Sequence, residues 1–212
     1  MKTKKLIAGI ALLMAGFGCS RPAQAPIQPA VDAGLKVTDG SVVLLKAAAK
    51  GVQIYSCKAT ADDPSKFAFD AAHAEPDALL MNETGEVVAH HYFDPRGPAW
   101  ETSDGSKIVG KKLEPVQVRT GTIPWLKLQT IAHEGTGPLS KVTFIQRLDT
   151  DGGVAPSGSC DPNTNARVRV PYKATYYFYA PPVKMGLSFV RRVKGTRRGW
   201  PSLNGNRRAS YW

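Results

Sequence analysis

Short segments of alternating apolar and polar residues, separated by glycine-containing turns, constrain the fold of this chain most. Connections at 83–85, 103–106 and 151–153 are short enough for antiparallel hairpins. No amphipathic helical pattern of roughly 10 to 15 residues interrupts the series. We therefore expect an all-β domain, an antiparallel meander of about nine strands that closes as a barrel or a sandwich, with little helix. The expected strands cover residues 42–56, 66–70, 78–82, 86–92, 99–102, 107–112, 116–119, 125–134, 141–149 and 167–179.

The first of these segments, 42–56, has two interpretations. Its alanine-rich part suits a helix, whereas Gly51 and the alternation of Val52 and Ile54 favour a strand. Since glycine inside a strand often marks an irregularity, we expect one long strand with a bulge or kink at Gly51.

The net charge of +11 is concentrated at the two ends of the chain. Residues 1–21 carry +4 and residues 184–212 carry +8, which leaves −1 for the central body. The body therefore has no excess of basic residues of the kind that a nucleic-acid backbone requires, and we expect no nucleic-acid partner.

The N-terminus has the pattern of an export signal. Basic residues are followed by an apolar stretch, so residues 1–18 are predicted to be a signal peptide rather than a membrane span. Residues 16–19 resemble a bacterial lipobox, which predicts lipidation of Cys19 and anchoring to the bacterial envelope without a spanning helix. Gly16 stands where leucine is usual in a lipobox, so a periplasmic or secreted product remains the alternative.

Lipidation of Cys19 leaves two cysteines, Cys57 and Cys160, in an oxidising compartment. We expect them to form a disulfide, with Cα atoms about 4.4 to 6.8 Å apart. Residues 19–40 are rich in proline and alanine and are predicted to be a flexible tether. The β-domain is expected to span 41–180.

Residues 181–212 hold eight basic residues and no acidic residue, which predicts a disordered basic tail. The alternative is a short basic amphipathic helix over 184–194 that lies on anionic lipid. The expected partners are therefore an envelope or extracellular ligand for the domain and a membrane surface for the lipid anchor, with the basic tail as a second candidate for membrane contact.

Several ordered motifs resemble the domain-of-unknown-function 3455 family of bacteria and fungi. The resemblance covers residues 42–180 and implies a secreted or lipid-anchored all-β domain. It transfers no catalytic residue, because the family has no established activity. The motifs are at 51–57, 97–101, 104–106, 123–126, 146–153, 170–172 and 176–179.

One cluster of residues suggests chemistry. His91, Asp94 and Glu101 are candidates for the site of a secreted hydrolase, which is our alternative function. His90 and His91 also suggest a metal site, with His133 as a third ligand. Adjacent side chains of a strand point to opposite faces, so we expect no metal there, and no cofactor.

Aromatic residues suggest a binding surface. Tyr92, Trp100, Trp125 and Tyr177 are candidate ligand contacts, because a pocket in a barrel mouth would be lined by such side chains. No serine-nucleophile motif of the GxSxG type is present. We therefore expect a non-catalytic exported β-domain that binds an envelope or extracellular ligand.

Overall fold

A computed structural model describes residues 27–182 of the chain. Short 3₁₀ helices at Ala33–Leu35, Ala71–His73 and Pro138–Lys141 accompany nine strands. None of the helices in this part of the chain has the length and apolar character needed to cross a membrane. The strands are β1 (Val42–Ala59), β2 (Phe67–Phe69), β3 (Glu75–Met81), β4 (Val87–Asp94), β5 (Gly97–Glu101), β6 (Lys107–Val116), β7 (Trp125–Glu134), β8 (Phe144–Gly152) and β9 (Arg167–Ala180).

Eight of the strands form a closed antiparallel barrel. The hydrogen-bonded order is β1-β3-β4-β5-β6-β7-β8-β9, and β9 pairs with β1 from Val42↔Ala180 to Ser56↔Arg167. The short strand β2 pairs with the last residues of β1, outside this ring. The structure thus confirms the all-β prediction and shows that the meander closes as a barrel.

The barrel interior is filled at one end and open at the other. Alternate residues of each strand face inwards and form the main apolar core. At one end, the β7–β8 connection contributes Leu139 and Val142, both completely buried, which pack into this core. The opposite end holds a cavity, at the carboxyl ends of β4, β6 and β8.

A disulfide holds one wall of the open end. Cys57 on β1 bonds Cys160 with Cα atoms 5.9 Å apart, which confirms the predicted pairing. The Cys160 backbone N–H donates to the Phe67 carbonyl oxygen (3.1 Å), and Ala68 forms a bridge with Ser159. The disulfide therefore ties β1 to the chain that enters β9, and β2 pairs through its backbone with both of them.

Residues 31–37 differ from the flexible tether predicted over 19–40. They pack on the outer face of the barrel, where Leu35 is completely buried among apolar side chains of β8 and β9. The Gln146 side-chain amide donates to the Leu35 carbonyl oxygen (2.6 Å). Composition alone suggested a tether because a single leucine gives no periodic pattern. The predicted signal peptide, Cys19 and residues 183–212 lie outside the described residues.

Two details of the strands also differ from expectation. The register irregularity of β1 lies between Val43 and Leu45, whereas Gly51 is paired on both sides. Residues 116–119 do not form a separate strand, because β6 continues to Val116 past a bulge near Leu113. The remaining predicted segments all overlap observed strands.

Candidate functional site in the barrel mouth

The open end of the barrel contains a cavity of about 270 Å³, which we call the mouth cavity. Residues of all eight barrel strands line it, and the 3₁₀ helix after β2 forms part of its rim. Most of the lining is apolar, as is usual for sites that take small molecules. The lining residues are Gln53, Tyr55, Ala71, Ala74, Pro76, His91, Phe93, Pro98, Trp100, Lys112, Pro115, Ile123, Pro124, Leu126, Leu128, Arg147 and Tyr176.

His91 is a buried, uncharged histidine in the wall of the mouth cavity. Its ring stacks on Trp100 with centroids 4.3 Å apart, and the Tyr176 ring meets it edge-on at 5.3 Å. The Ala99 carbonyl oxygen accepts a hydrogen bond from Nδ1 (2.8 Å), so Nε2 carries the lone pair of the neutral ring. Burial lowers the pKa of His91 to about 3, and the positive charges of Arg147 and Lys112 act in the same direction.

Two cationic side chains face the same cavity. Arg147 is partly buried, and one terminal nitrogen of its guanidinium donates to the Pro124 carbonyl oxygen (2.9 Å). Lys112 is more exposed, at the rim. Desolvation by the surrounding protein, and secondly the charge of Arg147, lower the pKa of the Lys112 ammonium. The two cations therefore raise the electrostatic potential of the cavity.

Neutral polar groups complete the lining. The Tyr55 hydroxyl donates to the Gly153 carbonyl oxygen (2.5 Å), and burial raises the pKa of this phenol. Burial also raises the pKa of Tyr176, so both phenols stay protonated. Gln53 is also buried, and its side-chain nitrogen has no hydrogen-bond partner among the residues that the structure describes.

The three residues of the hydrolase hypothesis do not come together. His91 faces the interior of the barrel, whereas Asp94 and Glu101 lie on the outer face. Asp94 accepts hydrogen bonds from Arg96 and Lys107, which hold the pKa of its carboxyl well below the usual range. Glu101 accepts a hydrogen bond from the Tyr92 hydroxyl (2.6 Å).

The histidines likewise point in different directions. His90 lies on the outer face and bonds Asp77 (3.0 Å), whereas His91 faces inwards. His133 donates from Nε2 to the Val142 carbonyl oxygen (2.7 Å). Among the described residues, no group of three or more histidine, cysteine, aspartate or glutamate side chains is placed to hold a metal ion.

Of the four aromatic residues predicted to contact ligand, the structure places only Trp100 in the mouth cavity. Tyr92 lies outside the barrel, in a shallow groove with Glu101. Trp125 and Tyr177 also face outwards and pack around Leu35 beneath the N-terminal segment.

The sequence analysis missed the polar residues of the cavity. Arg147 is two positions after the buried Ile145 on β8, and Lys112 is four positions after the buried Ile108 on β6. Period-two spacing from these apolar residues indicates that both cations face inwards. That spacing was the available signal for both residues.

The comparison with protein families decides the affiliation of the chain. The family described as "Protein of unknown function (DUF3455)" matches residues 38–180. The chain belongs to this family. The match confirms the resemblance found in the sequence motifs. Comparison with curated proteins and with solved structures finds no match.

The DUF3455 match covers the whole barrel and ends at Ala180, the last residue of β9. Every residue that lines the mouth cavity therefore lies inside the DUF3455 segment. The buried Leu35 precedes it. The mouth cavity is thus a feature of the DUF3455 barrel itself rather than of the segments that flank it.

The stability of the DUF3455 barrel is expected to fall on acidification because of His91. An unfolded histidine has a pKa near 6.5, so below that pH the unfolded state binds a proton that folded His91 does not. Between pH 7 and pH 5 this costs about 2 kcal/mol of folding free energy. Urea unfolding at both pH values should show this loss in the wild type but not in His91→Phe. Equal losses in both proteins would show that His91 titrates normally in the folded state.

Proposed function

We propose that the DUF3455 barrel is a non-catalytic binding domain that holds a small molecule in the mouth cavity. The observation that carries this proposal is an open, largely apolar cavity at the end of an otherwise filled barrel. An apolar cavity of about 150 Å³ holds benzene in another protein, so about 270 Å³ is enough for one ring with a short side chain.

Binding is favoured over hydrolysis by the arrangement around His91. A general base usually needs a group that orients it and a nucleophile within reach. Here the Nδ1 partner is the backbone carbonyl of Ala99 instead of a carboxylate. Asp94 and Glu101 lie across the sheet, each with its own hydrogen-bond partners. We therefore do not propose the hydrolase.

We further propose that this domain works outside the cytoplasm, anchored to the bacterial envelope through Cys19. The disulfide between Cys57 and Cys160 supports an oxidising compartment, where such bonds persist. In that setting the ligand would come from the envelope or the extracellular medium, and the mouth cavity would be its binding site.

The test is to block the mouth cavity with a side chain. Ala74, directly after the 3₁₀ helix Ala71–His73, lies on the rim, so Ala74→Trp should fill the entrance, whereas Ala72, inside that helix, does not line the cavity. We expect ligand-observed NMR to detect small neutral aromatic fragments such as toluene and indole bound to the wild type and to Ala72→Trp. Binding to Ala74→Trp should be at least about tenfold weaker.

Circular dichroism and thermal unfolding of both tryptophan variants show whether the barrel remains folded. Fragments that bind Ala74→Trp as tightly as the wild type would place their site elsewhere. Failure of every fragment, neutral or charged, to bind the wild type would contradict the proposed function.

A further inference from the structure

We propose that the ligand of the mouth cavity is an oxyanion, a carboxylate or a phosphate ester, carried on a flat apolar body. Its charged group would lie beside Arg147 and Lys112, and its body on the aromatic side of the cavity. This inference rests on the proposed function, because it names the chemical class of the molecule that the cavity holds.

The charges of the cavity are all of one sign. Lys112 and Arg147 line it, and the described lining includes no aspartate or glutamate. Neither cation takes part in an ion pair with any residue between 27 and 182. Lys107, in contrast, bonds Asp94 (2.7 Å) on the outer face. Two cations near each other without a counter-ion repel, and a bound anion removes that repulsion.

Three buried hydrogen-bond donors of the lining have no acceptor within hydrogen-bond distance among residues 27–182, although the Tyr172 hydroxyl lies near Gln53 and the Tyr176 hydroxyl near Arg147. The three donors are Nε2 of Gln53, Nε1 of Trp100 and Nε of Arg147. Gln53 and Trp100 are almost completely buried, so bulk water does not satisfy them in place of protein. Buried donors without a partner cost free energy, and each would gain from an oxygen acceptor in the cavity. An oxyanion supplies two or three such oxygens, and it bonds donors more strongly than a neutral carbonyl does.

The remaining lining suits a flat apolar body. The His91 and Trp100 rings stack face to face, parallel within 2° with centroids 4.3 Å apart, and both residues line the cavity. Leu126, Leu128 and Ile123 lie on the lining with them. Aromatic walls of this kind favour stacked or edge-on rings, with centroids roughly 4.5 to 7 Å apart.

The carboxylates near the open end lie on the other side of the sheet. Glu75, Asp77 and Glu101 line the shallow groove outside the barrel. Arg167 bonds Glu75, and Arg169 bonds Asp77 (2.7 Å). Glu75 and Asp77 are thus paired with basic residues of β9, and Glu101 accepts a hydrogen bond from the Tyr92 hydroxyl, so the three are not counter-ions for the cations inside the barrel.

The experiment compares acids with their neutral amides by isothermal titration calorimetry. The probes are benzoate, 3-phenylpropionate and indole-3-acetate, each beside the amide of the same shape. At least one acid should bind the wild type about tenfold or more tightly than its amide. That preference should disappear in Arg147→Met and in Lys112→Met.

Lys111→Met is the matched control, because Lys111 is exposed on β6 next to Lys112 but does not line the cavity. It should keep the preference for the acid. If Arg147→Met does not fold, Lys112→Met and the ratio of the acid and amide dissociation constants in the wild type still test whether the ligand is an oxyanion. Equal binding of acids and amides would overturn the proposal that the ligand is an oxyanion and leave the proposed function intact. Binding of neutral fragments without any binding of acids would have the same consequence. Failure of the neutral fragments as well would overturn the proposed function itself.

Discussion

Removal of the Cys57–Cys160 disulfide by Cys57→Ala/Cys160→Ala should lower the free energy of unfolding by about 4 to 5 kcal/mol. The bond joins positions 103 residues apart, and closing so long a loop restricts the unfolded chain strongly. In the folded state it also holds residues 159 and 160, which bond to β2, against β1. The double variant avoids the free thiol that a single substitution would leave.

Urea unfolding followed by circular dichroism measures this loss. The wild type treated with dithiothreitol should show a similar loss, since it contains the same chain without the cross-link. A loss below about 1 kcal/mol in both samples would show that the unfolded chain gains little freedom from the missing bond, contrary to the loop-closure estimate.

Substitution of Gly51 by alanine should lower the free energy of unfolding by about 3 kcal/mol. Gly51 lies in the middle of β1, between Ala78 on β3 and Tyr172 on β9. A Cβ at this position would overlap the Asp77 carbonyl oxygen and the Ala78 Cα. Both are backbone atoms of a hydrogen-bonded strand in a closed ring, so the barrel must distort to make room.

Lys50→Ala is the control for Gly51→Ala, because Lys50 is the adjacent exposed residue on the same strand. Its effect should stay within about 0.5 kcal/mol of the wild type. If Gly51→Ala and Lys50→Ala unfold at the same urea concentration, the close approach of β1 and β3 at Gly51 does not matter for stability.

The fold was largely predictable because the alternation of apolar and polar residues is a local property. Segments such as 125–134 show it directly, and glycine turns mark their ends. The choice between barrel and sandwich was not local, since it depends on whether β1 pairs with β9, more than 100 residues away. The disulfide prediction already indicated that these two strands approach each other.

Bulges and long-range burial explain what the sequence did not reveal. A bulge near Leu113 changes which side chains of β6 face inwards, and nothing in the local pattern marks it. Leu35 is buried only because Tyr177, Tyr179 and Leu148 present an apolar patch outside the barrel. A residue at position 35 carries no local sign of that patch.

The candidate site was predictable only in part. A mouth pocket lined by aromatic residues was expected, and Trp100 lies in it. Trp125 and Tyr177 were expected there too, but their positions along the strands place them on the outer face. Arg147 was overlooked because a charged residue within a strand is normally exposed, whereas here it faces a cavity.

NMR of the Trp100 indole N–H is the most direct test of ligand binding in the mouth cavity. This group is buried, makes no hydrogen bond to residues 27–182 and belongs to a lining residue, so a ligand in the cavity must change its surroundings. The resonance can be assigned with Trp100→Phe. On titration with 3-phenylpropionate, the Trp100 indole and the Gln53 side-chain amide should shift with one common Kd, while the Trp125 indole stays in place. An unchanged Trp100 resonance at saturating 3-phenylpropionate, or shifts confined to the outer face, would contradict ligand binding in the barrel mouth.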